Sequence, residues 1–425
     1  MKILRYSSRG PSVQLLQLAL CRAGYGPLER DGVFGARTRE ALQRFQRSHG
    51  LSADGVAGER THASLMPWYT GFLRRRLRPG DSFYSLASQY GVDVAAIELA
   101  NPGLEPERLA AGSFVTVPLP FDVVPTDIDY TSALCAFCVR GLSARYPFIG
   151  AGHSGRSVMG RPLWRMTFGY GQRRVLYAGA FHANEWITSP LLLKYTEELA
   201  AAFARGGAVF GRSAAELLEN TTFCVVPMVD PDGVDLVTGE LDSGPRYARA
   251  LEIFAAKPDL PFPSGWKANI AGTDLNLQFP ALWEQAREIK AAAGVTGPAP
   301  ADYVGPSPLS APESRAMYDL ARSFSPALVL AYHTQGEVIY WRFGRLEPEG
   351  SAELAAAFAA VSGYAPAEVP LSASFAGYKD WFIQDYMRPG FTIEAGRGKN
   401  PLPISDFDAI YAANRGILTL AAAGV

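Results

Sequence analysis

His182 and Glu185 stand three residues apart, where an apolar, β-favouring run over 175–181 gives way to a helical pattern of Ile187, Leu191, Leu192, Tyr195 and Leu199. An imidazole and a carboxylate so spaced in an exposed turn can reach one ion and fill two corners of a tetrahedral zinc site. On its own, His-x-x-Glu is equally what an ordinary helix start with an acid in its first turn looks like. A catalytic zinc usually takes three protein ligands and leaves one position for water. The chain has five histidines: His49, His62, His153, His182 and His333. The first two lie in an N-terminal module, and His153 sits in a polar Gly-His-Ser-Gly turn. His333 ends an apolar strand pattern over 326–333 and abuts Thr334-Gln335-Gly336, the natural place for a third ligand; the alternative is a satisfied histidine at a sheet edge. The chemistry also needs a general base for the attacking water. Glu394, in Gly390-Phe-Thr-Ile-Glu-Ala-Gly396, is the candidate, because a carboxylate in a buried β-run is costly without a partner or a task.

These residues sit in ordered company. Trp186-Ile187 follow Glu185, and Pro231-Asp-Gly233, Gly272-Thr-Asp-Leu-Asn276 and Asp380-Trp381 follow in turn, the last fourteen residues before Glu394. Over roughly 125–425 the chain resembles the zinc carboxypeptidases. The resemblance implies one zinc per chain on His182, Glu185 and His333, with Glu394 as general base. Asn276 falls in the family's substrate-binding motif, and Tyr378 is the candidate for its mobile tyrosine, although it lies closer to Asp380 than that pattern puts it. The departures bear on substrate. Asn276 is followed by Leu277 where carboxypeptidases carry the arginine that holds a terminal carboxylate, and leucine cannot make that bidentate bond. Trp266 is followed by Lys267 where the family has its oxyanion arginine, so the charge is kept without the planar fork. Asn184 replaces an arginine between the first two ligands. With Trp-Lys-Ala-Asn-Ile, Asp-Leu-Asn-Leu-Gln-Phe-Pro-Ala and His-Thr-Gln-Gly-Glu, the chain is similar to the branch that cuts γ-D-glutamyl-diamino acid bonds, here between D-Glu and meso-diaminopimelate. Arg397, close after Glu394, and Arg246 are candidates for reading the free glutamate carboxylate.

The elements that position these groups follow from pattern. At 425 residues, 48% apolar and 19% charged, the chain can bury several cores. A formal net charge of -1 argues against nucleic acid as a main partner, and no apolar run is long enough for a membrane span. Four cysteines are too few for a disulfide scaffold; Cys135 and Cys138 lack a second pair and read as buried thiols, usage that suits a reducing compartment. The start lacks an apolar signal core, so the expectation is a cytoplasmic protein associated with sporulation, or a secreted, wall-associated one if an export signal precedes this sequence. Strands at 163–168, 175–181, 222–228 and 326–332 alternate with helices at 130–146, 187–204 and 310–323. That rhythm predicts an α/β catalytic domain over 125–425, a mixed sheet covered on both faces. The Gly/Pro-rich stretch 295–309 reads as a surface loop at the cleft rim.

Two modules precede it. Asp31-Gly-Val-Phe-Gly-Ala-Arg-Thr recurs as Asp54-Gly-Val-Ala-Gly-Glu-Arg-Thr, and with a preceding helix through Val13, Leu16, Ala19 and Leu20 residues 1–67 resemble a three-helix peptidoglycan-binding domain. Residues 70–118 read as β-α-α-β and resemble a LysM domain, whose binding of N-acetylglucosamine-containing glycan would be lined by Gly80, Asp81, Ser82 and Phe83 with 101–104, from Asn101 onward. Arg74 to Arg76 read as a solvated face. A proline-bearing linker over 118–125 joins these to the catalytic domain. The implied partners are peptidoglycan stem peptides and glycan. Two other readings stand beside this one: an exopeptidase trimming free C-termini, against which Leu277 speaks, and a binding protein with a decayed site, against which the intact ligand set and Glu394 speak.

Overall fold

The computed structural model describes residues 1–255, 260–370 and 373–424. The chain divides into two compact units, Met1–Asp129 with Ala136–Gly150, and Tyr130–Cys135 with Ala151–Val425.

The first unit begins with α1 (Pro11–Arg22), α2 (Ala36–Ser48) and α3 (Glu59–Thr70). Its internal repeat is structural down to single bonds. Gln17 Nε2 donates to Asp31 Oδ1 (2.8 Å) and to the Val33 carbonyl (3.1 Å), while Gly32 N–H donates to Gln17 Oε1 (3.0 Å). Gln46 does the same to Asp54 (2.9 Å), Val56 (3.0 Å) and Gly55 (3.0 Å). Each Asp-Gly turn is thus held by one buried amide reaching from the helix before it. Helix α3 runs to Thr70, three residues past the expected module end.

Strand β1 (Phe72–Arg76) pairs antiparallel with β2 (Phe114–Pro118), and α4 (Phe83–Tyr90) and α5 (Val94–Ala100) pack on them through Leu77, Phe83, Leu86, Ile97, Val115 and Val117. The β-α-α-β order is as the sequence predicts. Helix α6 (Ser132–Arg145) gives most of its length to this unit. A Cβ at Gly141 would lie 2.1 Å from the Thr70 carbonyl oxygen, so only glycine allows that approach. Phe137 stacks on Tyr69 at 5.4 Å, and Arg145 donates to the carbonyls of Leu119 (2.7 Å) and Phe121 (2.8 Å).

The second unit is built on an eight-stranded mixed sheet. Its strands in chain order are β3 (Gly150–Arg156), β4 (Pro162–Phe168), β5 (Arg173–Ala178), then, after the short hairpin β6 (Ala208–Val209) and β7 (Arg212–Ser213), β8 (Thr221–Val226), β9 (Leu328–His333), β10 (Val338–Tyr340), β11 (Ala365–Ala367) and β12 (Gly390–Glu394). Spatial order is β11-β10-β12-β9-β5-β8-β4-β3, with β12, β9, β5 and β8 mutually parallel. Strand β5 stops at Ala178, three residues short of the expected 181, because Gly179 and Ala180 turn away: Ala180 has φ 49°.

The helices of this unit are α7 (Thr188–Ala204), α8 (Ala214–Asn220), α9 (Pro231–Val237), α10 (Pro245–Ala255), α11 (Trp283–Ala292), α12 (Pro312–Phe324), α13 (Ser351–Ser362), α14 (Tyr378–Tyr386) and α15 (Phe407–Ala423). Alternate strand residues face opposite ways. Leu176, Ala178, Cys224, Val226, Val329 and Ala331 share a core with α12 and α14. From the other face, Tyr177 donates its hydroxyl to the Leu418 carbonyl of α15 at 2.8 Å. Both faces are therefore covered, which is why the central strands read as unbroken apolar runs. The stretch 295–309 carries no helix or strand, yet Ala299, Ala301 and Val304 are buried, so it is less superficial than its composition suggests.

Candidate active site

The carboxyl ends of parallel strands β5, β9 and β12 meet at one place, where open α/β sheets commonly place their ligands. His333 is the last residue of β9 and Glu394 the last of β12, paired in register. His182 and Glu185 follow β5 in a turn that is clamped rather than loose. Gly179 N–H donates to Val226 O (3.1 Å), Ala180 N–H donates to Thr188 Oγ1 (2.7 Å), and that hydroxyl donates to Glu185 O (2.8 Å). Helix α9 presses against this turn: a Cβ at Gly233 would meet Asp230 Oδ2 at 2.1 Å and Ala183 Cβ at 2.8 Å. The turn is buried, with Glu185 1% exposed, where the sequence suggested an exposed one.

One donor atom from each of His182, Glu185 and His333 lies within 4.8 Å of the other two. His182 Nδ1 is 3.0 Å from Glu185 Oε1 and 3.2 Å from His333 Nδ1, which is 2.9 Å from Glu185 Oε2. A tetrahedral ion with bonds of ~2.0–2.1 Å needs donors about 3.3 Å apart, so this nitrogen–nitrogen–carboxylate set fits zinc. His182 Nε2 faces Asp274 Oδ1 at 3.1 Å. That carboxylate accepts the hydrogen bond of Nε2–H, which leaves the Nδ1 lone pair for the metal. Among the described residues His333 Nε2 has no such partner.

The electrostatics follow from burial and proximity. Burial works against the Glu185 charge, but His182 and Lys267 outweigh it and hold the carboxyl well below its usual range. Burial lowers His333, favouring the neutral imidazole a ligand needs. Lys267 Nζ lies 3.2 Å from Glu185 Oε1; burial opposes its charge, and Glu185, Asp274 and Glu394 together hold it above the usual lysine value. Glu394 is pushed up to about 8, first by burial and then by repulsion from Glu185.

Glu394, Lys267, Asn276 and Leu277 line one cavity of about 220 Å³ with His182 and His333. Asn276 Oδ1 accepts the Tyr378 N–H at 3.0 Å, pinning the start of α14 to this wall. Three expectations need correction. Tyr378 is fully buried among Phe181, Phe279 and Trp381, its hydroxyl inside the core, so it does not face the cavity. Its position at the N-terminus of α14 turns the ring under the sheet. Arg397 is 76% exposed and pairs with Glu337 at 2.5 Å, and neither it nor the exposed Arg246 lines the cavity. In the LysM-like module, Asn101 is a buried brace: its amide donates to Ile97 O and Thr116 O at 2.7 Å, and its oxygen accepts Thr116 N–H at 2.8 Å. Phe83 is core, Ser82 caps α4 through Ser85, and Asp81 accepts from Arg75 (3.1 Å) and from Arg78 N–H (2.7 Å). Gly80, at φ 86°, stays exposed, as do Pro102 and Gly103. A separate surface pocket of this module is lined by Arg74, Arg75, Arg76, Gln89 and Tyr90.

Sequence reasoning missed Asp274, Tyr340, Lys290, Asp302, Lys379 and Asp380 as cavity or site residues. Asp274 could have been found two residues before Asn276. Tyr340 shares a face of β10 with Val338 and borders Glu394, which with burial raises its phenol. Lys290 and Asp302 pair at 2.7 Å across a loop that leaves no spacing signal.

The comparisons with known proteins agree with this geometry. The zinc carboxypeptidase profile matches residues 138–415, a peptidoglycan binding domain matches 9–65, and a LysM domain matches 76–118. The chain is 45% identical over 291 residues, 68% of its length and 71% of the relative's, to gamma-D-glutamyl-L-diamino acid endopeptidase 1 of Lysinibacillus sphaericus. It is 43% identical over 275 residues, 64% of its length and 72% of the relative's, to the uncharacterised protein YqgT of Bacillus subtilis (strain 168). Among solved structures, carboxypeptidase A of Helicoverpa armigera aligns with a TM-score of 0.55 over 92% of this chain and 88% of its own at 17% identity, a likeness of fold. A mixed sheet that brings two imidazoles and a carboxylate to its strand ends, under a profile spanning most of the sequence, leads to one conclusion: the chain belongs to the zinc carboxypeptidase family.

Proposed function

We propose that this chain hydrolyses the bond between γ-D-glutamate and a diamino acid, meso-diaminopimelate, in bacterial cell-wall stem peptides. The observation that carries the reading is the cavity wall. Leu277 stands beside Asn276, and among the described residues no arginine lines the cavity, so a terminal carboxylate lacks its bidentate partner. An enzyme indifferent to that carboxylate can act with or without a following D-Ala. The L. sphaericus relative's printed activity supports the same reading.

His182, Glu185 and His333 would hold the zinc, which when bound supplies Lewis acidity to the scissile carbonyl and the attacking water. Glu394 takes the water proton and gives it to the departing amine of the diamino acid. Lys267, paired with Glu185 at 3.2 Å, places a positive charge for the developing oxyanion. Asp274 holds the His182 ring. The N-terminal modules keep the enzyme on glycan and raise the local concentration of stems. No disulfide joins the four cysteines among the described residues, which supports a reducing compartment, the cytoplasm; fractionation that found the protein only outside the cell would overturn that placement.

Mass spectrometry of products from L-Ala-γ-D-Glu-meso-diaminopimelate, with and without D-Ala, tests the bond. Release of L-Ala-γ-D-Glu from both is expected. Release of D-Ala alone, or of single residues from ordinary α-peptides, would make the enzyme an exopeptidase.

A further inference from the structure

The cavity that holds Glu394 is also lined by a charge pair that the chemistry above does not use. Lys379 and Asp380 are the second and third residues of α14, 3% and 4% exposed. Lys379 Nζ donates to Asp380 Oδ1 (2.5 Å) and to the Arg342 carbonyl (2.7 Å). Asp380 Oδ2 accepts the Gly377 N–H at 3.3 Å.

Stability does not account for the pair. Burying two charges costs more than their attraction usually returns, and apolar residues of like size do as well or better. A cation in the first turn of a helix also opposes the helix dipole. Yet the ammonium has two hydrogen-bond acceptors for three protons, with the Phe343 ring 6.0 Å away, and Lys379 lines the cavity. Asn276, through the Tyr378 N–H, fixes the start of α14, so Lys379 stands in a set position in the wall that also carries Leu277. A second pair, Lys290 with Asp302, lines the same cavity, but Asp302 is 43% exposed and water screens it.

We infer that Lys379, held by Asp380, is the specificity-determining residue that reads a carboxylate on the side chain of the diamino acid. The inference rests on the peptidase reading above and deepens it. An ammonium and a carboxylate side by side complement the amino-acid end of the meso-diaminopimelate side chain: ligand carboxylate to Lys379, ligand ammonium to Asp380. A lysine side chain brings only an ammonium, which meets a like charge at Lys379.

The test uses full-length zinc-loaded enzyme and three tripeptides, L-Ala-γ-D-Glu followed by meso-diaminopimelate, by the same residue amidated at its side-chain carboxyl, or by L-lysine. Amidation keeps shape and removes charge. The wild type should favour the free acid over the amide by about ten- to a hundredfold in kcat/KM, the range for a charge-assisted hydrogen bond. In Lys379→Gln the ratio should fall to near one, through loss on the free acid alone. Lys379→Gln with Asp380→Asn, a neutral pair, guards against misfolding, with zinc content and melting temperature as controls, and should show the same collapse. Equal wild-type rates on acid and amide, or a neutral pair that keeps the wild-type ratio, would overturn the assignment while leaving the peptidase reading intact. Failure to cut the γ-bond in all three would instead bring down the peptidase reading, and this inference with it.

Discussion

At the scale of single residues, the site divides into groups that hold the ion and groups that move charge, and substitutions should separate them. Glu185→Ala and His333→Ala each delete a donor from a set spaced at 2.9–3.2 Å, and purified protein should lose its stoichiometric zinc by elemental analysis. Asp274→Ala removes the partner of His182 Nε2, together with the acceptor of the Asn276 and Asp302 N–H groups. It should keep zinc but bind it ~10–100-fold more weakly in chelator competition; unchanged affinity would mean that the 3.1 Å contact does not orient the ring. Glu394→Gln should retain fold and metal and lose roughly 10²–10⁴ in turnover, since an amide cannot accept the water proton. Near-normal rates would reduce Glu394 to a structural acid.

Among elements, the turns that carry the ligands depend on neighbours well away in sequence. Glu313, second residue of α12, accepts the Val158 N–H (2.9 Å) from the β3–β4 turn and the Asn269 amide (3.1 Å) from the loop before Asp274. Burial, and then Asp232, push its carboxyl up to about 7 against an ordinary 4.5, with its hydrogen bonds pulling the other way. The folded chain therefore holds a proton that the unfolded chain releases above about pH 4.5. The contribution is full below that pH and is lost as pH rises through about 7, at most about 3 kcal/mol. Thermal unfolding of the wild type should weaken between pH 5 and 8 more than that of Glu313→Gln. Parallel pH profiles would assign the dependence to another acid.

For the molecule as a whole, the two compact units do not coincide with the modules read from sequence. Residues 136–150 belong with the N-terminal unit, where Phe137 covers Tyr69 and Gly141 meets Thr70. Cutting away residues 1–118 bares that face of α6. Burying a phenylalanine stabilises by about 1.5–3 kcal/mol, so the truncated protein should melt at least ~3 °C lower. A melting temperature equal to the full chain's would show that α6 is self-supporting. Residues 1–118 can be removed as a clean tether only in that case.

What the sequence alone determined was local and periodic. Unbroken apolar runs mark strands buried on both faces, and His182, Glu185, His333 and Glu394 are conspicuous because polar groups at the ends of such runs need a task. The Asp-Gly repeat was equally legible, since its turns, glycines and helix starts are all set within a dozen residues. Tertiary structure decided what depends on direction and distance. Tyr378 reads as a site residue by its place in the chain, but the first turn of α14 points its ring into the core. Asn101 reads as a groove residue, but its amide is spent on Ile97 and Thr116. Lys290 and Asp302, or Lys379 with the Arg342 carbonyl, meet only after the chain has crossed loops of no fixed period. Side-chain periodicity specifies which face is buried; which partners converge there is set by packing between elements distant in sequence, and no spacing rule records it.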